Sequence, residues 1–135
     1  MSDSFWLRVG SLLGGLAVAA GAFGAHLLEK QLDTRSLQVF ETAARYQMFH
    51  ALAIGLVGVL GMVGGSTRPL RVAGWAFLVG TVLFSGSLYA LALTGITKLG
   101  AITPIGGVGF LVGWTALAFH RVGSKPVAQA DRGVK

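Results

Sequence analysis

Four stretches without a charged residue dominate the pattern along the chain. They lie between Arg8 and Glu29, Arg45 and Arg68, Arg71 and Lys98, and Lys98 and Arg121, and hold 20, 22, 26 and 22 residues. A helix rises about 1.5 Å per residue and the hydrocarbon core of a bilayer is about 30 Å thick, so about 20 apolar residues cross it. The pattern therefore predicts an all-α integral membrane fold of four antiparallel transmembrane helices. The predicted spans are about 7–28, 46–64, 70–93 and 104–120, and together they form one membrane domain over residues 1–120. A signal peptide is the rival reading of the first run, with Arg8 ahead of it and small residues at Ala22 to Ala25. Its length, and the three spans that follow, favour a permanent anchor helix.

The polar intervals carry their own signals. In 29–45, EKQLDTRSLQVFETAAR, Asp33 or Thr34 suits a helix start, and Leu37, Phe40 and Ala44 then fall on one face. A short amphipathic helix lying at the membrane surface is predicted there, between the first and second spans. Gly64 to Pro69 reads as a tight turn, and Thr103-Pro104 as a helix start with proline in its first turn. The segment 121–135, RVGSKPVAQADRGVK, has no apolar periodicity and is predicted to be a disordered polar tail. Small residues recur four apart in the first run (Gly10/Gly14, Gly15/Ala19, Ala17/Gly21, Gly21/Ala25), and glycines recur at 55, 58, 61 and at 106, 109, 113. Such spacing lets helix backbones approach closely in lipid. Gly14, Gly21, Gly55, Gly58, Gly109 and Gly113 are the candidate helix-packing positions.

Composition agrees with the pattern: 53% of the 135 residues are hydrophobic and 12% are charged, against roughly 25% charged in soluble domains. The formal charge of +6 does not point to nucleic acid, because the basic residues sit at the ends of apolar runs and form no patch interleaved with aromatics. The lipid bilayer is the expected partner. With four spans, Arg8, Arg68, Arg71, Arg121, Lys125, Arg132 and Lys135 share one side, and Lys30, Arg35, Arg45 and Lys98 the other. The excess of positive charge places both termini in the cytoplasm. Cysteine is absent, which removes disulfides, thiol nucleophiles and thiolate metal sites.

No Asp or Glu lies inside a predicted span, which argues against proton-coupled transport. The candidate polar cluster is His26, Tyr46, Gln47, His50 and Tyr89, all toward the outer face, with Ser85 and Ser87 below. Interhelical hydrogen bonding is the favoured role. A pocket for a small ligand or lipid, and a haem held between His26 and His50, are the alternatives. Zinc normally takes three or four protein ligands and only Glu29 and Glu41 could join the histidines, so no metal site, catalytic residue or cofactor is expected. Ser85 and Ser87 have no base at their depth and should bond back to their own helix. Gly106-Gly107 follows no strand and makes no phosphate loop. Trp6 and Trp75 are read as interfacial anchors, Trp114 as packing inside the bundle, and His120 as interfacial.

Several segments together carry a family resemblance: Gly21 to Leu27, Phe40 to Ala43, Tyr46-Gln47 with His50-Ala51-Leu52, Phe84 to Tyr89, and Thr103 to Gly107. Over about residues 5–120 the chain resembles the domain of unknown function 423 family, small bacterial inner-membrane proteins similar to the eukaryotic transmembrane protein 256. The resemblance implies a four-span protein of the cell inner membrane. It implies no activity, substrate or cofactor. The expectation is a non-enzymatic accessory or structural membrane component that packs, through its glycines, against a second copy or another membrane protein. The alternative is a small-molecule permease or ligand-binding bundle using the His26/His50 cluster, and haem binding is the third.

Overall fold

The computed structural model describes residues 3–121. Those residues form helices α1 (Asp3–Val18), α2 (Ala25–Leu28), α3 (Thr34–Gly64), α4 (Arg68–Thr94) and α5 (Thr103–Ala118). A π turn, Ala19–Gly24, joins α1 to α2, and a 3-10 turn, Thr97–Ala101, precedes α5. Four helical stretches, Ser4–Leu28, Thr34–Gly64, Arg68–Thr94 and Thr97–Ala118, are long and apolar enough to cross a membrane. The predicted tail beyond Arg121 lies outside the described residues.

The separate surface helix does not form. Residues 34–45 are the first three turns of α3, which runs unbroken for 31 residues, about 46 Å at the usual rise. No proline or glycine interrupts the chain between Asp33 and Gly55, and Phe40, Ala43, Ala44, Gln47, His50, Ala51 and Ile54 are all buried. Their spacing continues one helical face from the amphipathic segment into the span, so a break would only lose packing. Asp33 starts the helix, its carboxylate accepting the Ser36 N–H at 2.9 Å. Gly65 and Gly95 end α3 and α4 with φ of 85° and 71°, a backbone region open to glycine at little cost.

α1 packs on α3, α3 on α4, and α4 on α5. Contact partners ascend along one helix as they descend along its neighbour. On the first pair, Gly10 lies against Ala51 and Gly55, and Gly24 against Phe40. On the last pair, Phe77 lies against Gly113, and Ser87 bonds Thr103. The core joins Trp6, Ile54, Val57, Leu70, Ala73, Phe77 and Phe110. Trp6 is a core residue, not an interfacial anchor: it is 2% exposed. A Cβ at Gly74 would lie 2.8 Å from its indole, which meets Trp75 edge-on at 5.4 Å. Lipid tails are as apolar as these side chains, so close packing and hydrogen bonds, rather than escape from water, must hold such a bundle together.

Candidate functional site

Tyr46, Gln47 and His50 lie within about one turn of α3 and reach three neighbouring helices. Gln47 faces α1 and α4. Its amide nitrogen donates to the Leu13 carbonyl at 2.8 Å, and its amide oxygen accepts the Tyr89 hydroxyl at 3.0 Å. One side chain thereby ties three helices. The Tyr89 ring packs against Phe40, centroids 4.9 Å apart, which orients its hydroxyl.

His50 faces α5 and is 4% exposed. Its ring lies flat on Phe110, centroids 3.4 Å apart and planes 5° apart. Nε2 is 3.3 Å from the Trp114 indole nitrogen. An indole N–H only donates, so Nε2 accepts, the proton sits on Nδ1, and Nδ1 donates to the Tyr46 carbonyl at 2.8 Å. Both nitrogens of this neutral imidazole are engaged. Tyr46 packs at a tilt of 31° against Phe84, 4.7 Å between centroids, and extends the aromatic surface toward the α3 N-terminus.

His26 does not join them. Its side chain is 85% exposed and faces Glu29 at 3.7 Å, in a shallow polar recess with Gly21, Ala22, Leu37 and Glu41. The arrangement that a haem between His26 and His50 would need is therefore not formed. Among the described residues no three His, Asp or Glu side chains are grouped to hold a metal ion.

The serines divide. Ser87 bonds back to the Phe84 carbonyl at 3.0 Å and also meets the Thr103 hydroxyl at 2.8 Å. The Ser85 hydroxyl, expected to bond back in the same way, is buried without a hydrogen-bond partner among the described residues. His120 is tied down rather than simply interfacial, its Nδ1 2.8 Å from the Thr67 hydroxyl. Trp114 does pack into the bundle on one side, edge-on to Phe77 at 5.0 Å.

Of the candidate packing glycines, Gly109 and Gly113 are in tight contact: a Cβ at Gly109 would lie 3.1 Å from Gly80 Cα, and one at Gly113 2.5 Å from the Phe77 ring. Gly58 is buried. Gly14 and Gly21 leave ordinary van der Waals room, 3.8 Å to Ala51 and Ala44, and Gly55 faces open space. The tight close approaches that the candidate set lacks are Gly10, Gly24, Gly74, Gly80 and Gly106.

Between α3 and α5 lies a groove of about 670 Å³ lined by Tyr46, Phe49, His50, Phe84, Phe110 and Trp114 among others. The signal for it was present in the sequence: Phe110 and Trp114 are one turn apart on the fourth span, the spacing that puts two rings on one face. A second cleft of about 490 Å³ between α1 and α4 has Gln47, Ser85 and Tyr89 in its lining.

The family model described as "Protein of unknown function (DUF423)" matches residues 20–107. A UPF0382 membrane protein of Staphylococcus saprophyticus is 49% identical over 112 residues, 83% of this chain and 92% of that one. The UPF0382 membrane protein YwdK of Bacillus subtilis is 46% identical, over 87% of this chain and 95% of its own. One from Haemophilus influenzae is 41% identical, over 89% and 95%. No solved structure matches the chain.

Proposed function

Because the chain belongs to the DUF423 family of proteins of unknown function, whose members above are named only as membrane proteins, we propose its role from its own geometry. It is a non-enzymatic structural or accessory component of the cell inner membrane, with both termini in the cytoplasm, and its polar side chains serve to hold the helices in register. One observation carries this: the amide of Gln47 and both ring nitrogens of His50 are already engaged inside the bundle. A general base or ligand donor needs a free lone pair within reach of a substrate. The neutral His50 imidazole has its one lone pair and its one ring proton both taken, and the Gln47 amide, held through both its nitrogen and its oxygen, is neither basic nor nucleophilic. The accessory part of the reading is supported by α1, which packs chiefly on α3 and turns Leu12, Gly15 and Leu16 outward. Purification in mild detergent, with chemical cross-linking beforehand in the membrane, tests it. A specific homo-oligomer or a reproducible membrane-protein partner is expected. A strict monomer that cross-links to nothing would remove the accessory role.

The aromatic groove favours a second reading, a lipid- or ligand-binding bundle centred on His50 and Tyr46 without His26. Gly107 lines that groove and has no atom closer than 4.0 Å to an added Cβ. Gly107→Leu should therefore fill the groove while sparing the fold. If native mass spectrometry finds an apolar adduct on the wild type, this variant should lose it. Adducts identical on both proteins, or absent from both, would dismiss the groove as a binding site.

A further inference from the structure

At the α4 end that adjoins the α3–α4 turn, Arg68 and Arg71 stand one turn apart and share one face with Val72, Trp75, Ala76 and Val79. The face forms a shallow groove of about 480 Å³, charged at its mouth and apolar along the rest. Both arginines are exposed, and the single ion pair among the described residues is His26 with Glu29. The carboxylates whose side chains are described, Glu29, Asp33 and Glu41, lie at or near the opposite end of α3. The bond between His120 and Thr67 brings the end of α5, with Arg121 next in the chain, to the same turn as Arg68. Among the described side chains, positive charge thus gathers at this end without an acidic partner. Trp75, 48% exposed, sits one turn below Arg71, where an indole suits the level between headgroups and chains. Val72 and Val79 continue the track toward the hydrocarbon.

We propose that Arg68, Arg71 and Trp75 form a binding site for one anionic phospholipid. The guanidinium groups take its phosphate, and one acyl chain lies along Val72, Ala76 and Val79. Two neighbouring guanidiniums offer paired donors in the geometry a phosphate accepts. An isolated surface arginine would provide the charge without the apolar track beneath it. A zwitterionic lipid fits the track equally well but carries a compensating cation that the arginines repel. The site therefore selects by headgroup charge while holding the chain non-selectively.

Trp75 is its own reporter, since brominated acyl chains quench a neighbouring indole. The full chain is placed in phosphatidylcholine vesicles containing equal mole fractions of dibrominated phosphatidylglycerol or dibrominated phosphatidylcholine. Trp6 is buried, and Trp114, in a different groove, supplies quenching indifferent to headgroup. The wild type is expected to be quenched more strongly by the brominated anionic lipid. Each of Arg68→Gln and Arg71→Gln should reduce that preference about fivefold, from roughly 1 kcal/mol per basic residue at an anionic surface. Trp75→Phe should abolish the selective component, and Arg45→Gln, at the other end, should leave it unchanged. Excess inorganic phosphate at constant ionic strength should not displace the lipid, because it lacks the chain. Equal quenching of the wild type by the two lipids, or a preference that survives loss of both arginines in a protein of unchanged helicity, would overturn the proposal. Displacement by phosphate alone would reassign the site to a free anion and overturn it too. Should the double variant fail to fold, the two single variants and the phosphate arm still decide.

Discussion

The α4–α5 seam and the α1–α3 seam are built from similar glycine-rich sequence and close in different ways. Between α4 and α5, each close glycine meets a phenyl ring or a backbone directly across. Gly80 meets Phe110, Gly113 meets Phe77, and Gly106 lies against the Phe84 backbone, where a Cβ would be 2.4 Å from nitrogen. Between α1 and α3, one backbone contact is comparably tight: a Cβ at Gly10 would come within 2.6 Å of Gly55 N and 2.7 Å of Ala51 O. Gly14 and Gly21 stand off at 3.8 Å, and Gln47 supplies a hydrogen bond instead. One seam is held by shape along its length; the other by one close pass and a polar clasp. Spacing of small residues permits close approach, but whether it happens depends on what the facing helix presents.

The largest effect should come from the shape-held seam. Gly106→Ala forces a methyl into the Phe84 backbone, which cannot rotate away as a side chain can. A loss of about 1–3 kcal/mol is expected, at the upper end or beyond. Gly14→Ala, at the same kind of sequence spacing, should be neutral or stabilise by up to about 1 kcal/mol, because alanine favours a helix over glycine. Unfolding of the purified protein in mixed micelles with increasing SDS measures both. Equal losses at the two positions would erase the distinction between the seams.

The polar clasp ranks next. Gln47→Leu removes two interhelical bonds, each worth about 0.6 to 1.7 kcal/mol, for a loss of about 1–3 kcal/mol. Tyr89→Phe removes only one and should cost about 0.6 kcal/mol. In a double-mutant cycle the pair should be coupled by about that amount. Trp114→Phe, which frees His50 Nε2 in the other groove, should cost about as much as Tyr89→Phe and add independently to Gln47→Leu. A Gln47→Leu protein as stable as the wild type would show that the α1–α3 seam is held by something other than its clasp.

These residues also show how far the sequence could be read. Gln47, Tyr89 and His50 were recognisable as bundle contacts because they are polar groups within charge-free intervals, where lipid offers them no partner. The four spans were legible for the same reason. His26 misled because depth in the membrane sets height but not direction around the helix. The π turn over Ala19–Gly24 places an extra residue in one turn, so every side chain beyond it is rotated by about 100°. No spacing rule for a regular helix anticipates that rotation. The absent break in α3 is a different matter. Its continuous buried face from Phe40 onward was visible, but the charged residues on the outer face at 41 and 45 looked like a boundary. In fact they mark the exposed side of one long helix. Gly74 and Gly80 were missed because nothing on their own strip of sequence distinguishes a glycine under Trp6 or Phe110 from one facing lipid.

The smallest effect concerns where the polar-clasped seam begins. Asp33 caps α3 with a carboxylate, whereas Thr67 caps α4 with a hydroxyl 3.4 Å from the Leu70 N–H. The Ser36 backbone N–H, and then its hydroxyl, hold the Asp33 carboxyl below the ordinary aspartate value. A depressed folded-state value means the charged cap stabilises the helix end above the unfolded value, and that contribution fades as pH falls through the folded one. The group is fully exposed, so the loss should stay local. The first turn of α3 frays at acid pH while the thermal midpoint barely moves. The Ser36 amide resonance of labelled protein in micelles should therefore titrate with a midpoint below that of a free aspartate, and should be flat over the same range in Asp33→Asn. A midpoint at or above the free value would mean that the carboxylate gains nothing from its cap, and that α3 starts where it does because of its buried face alone.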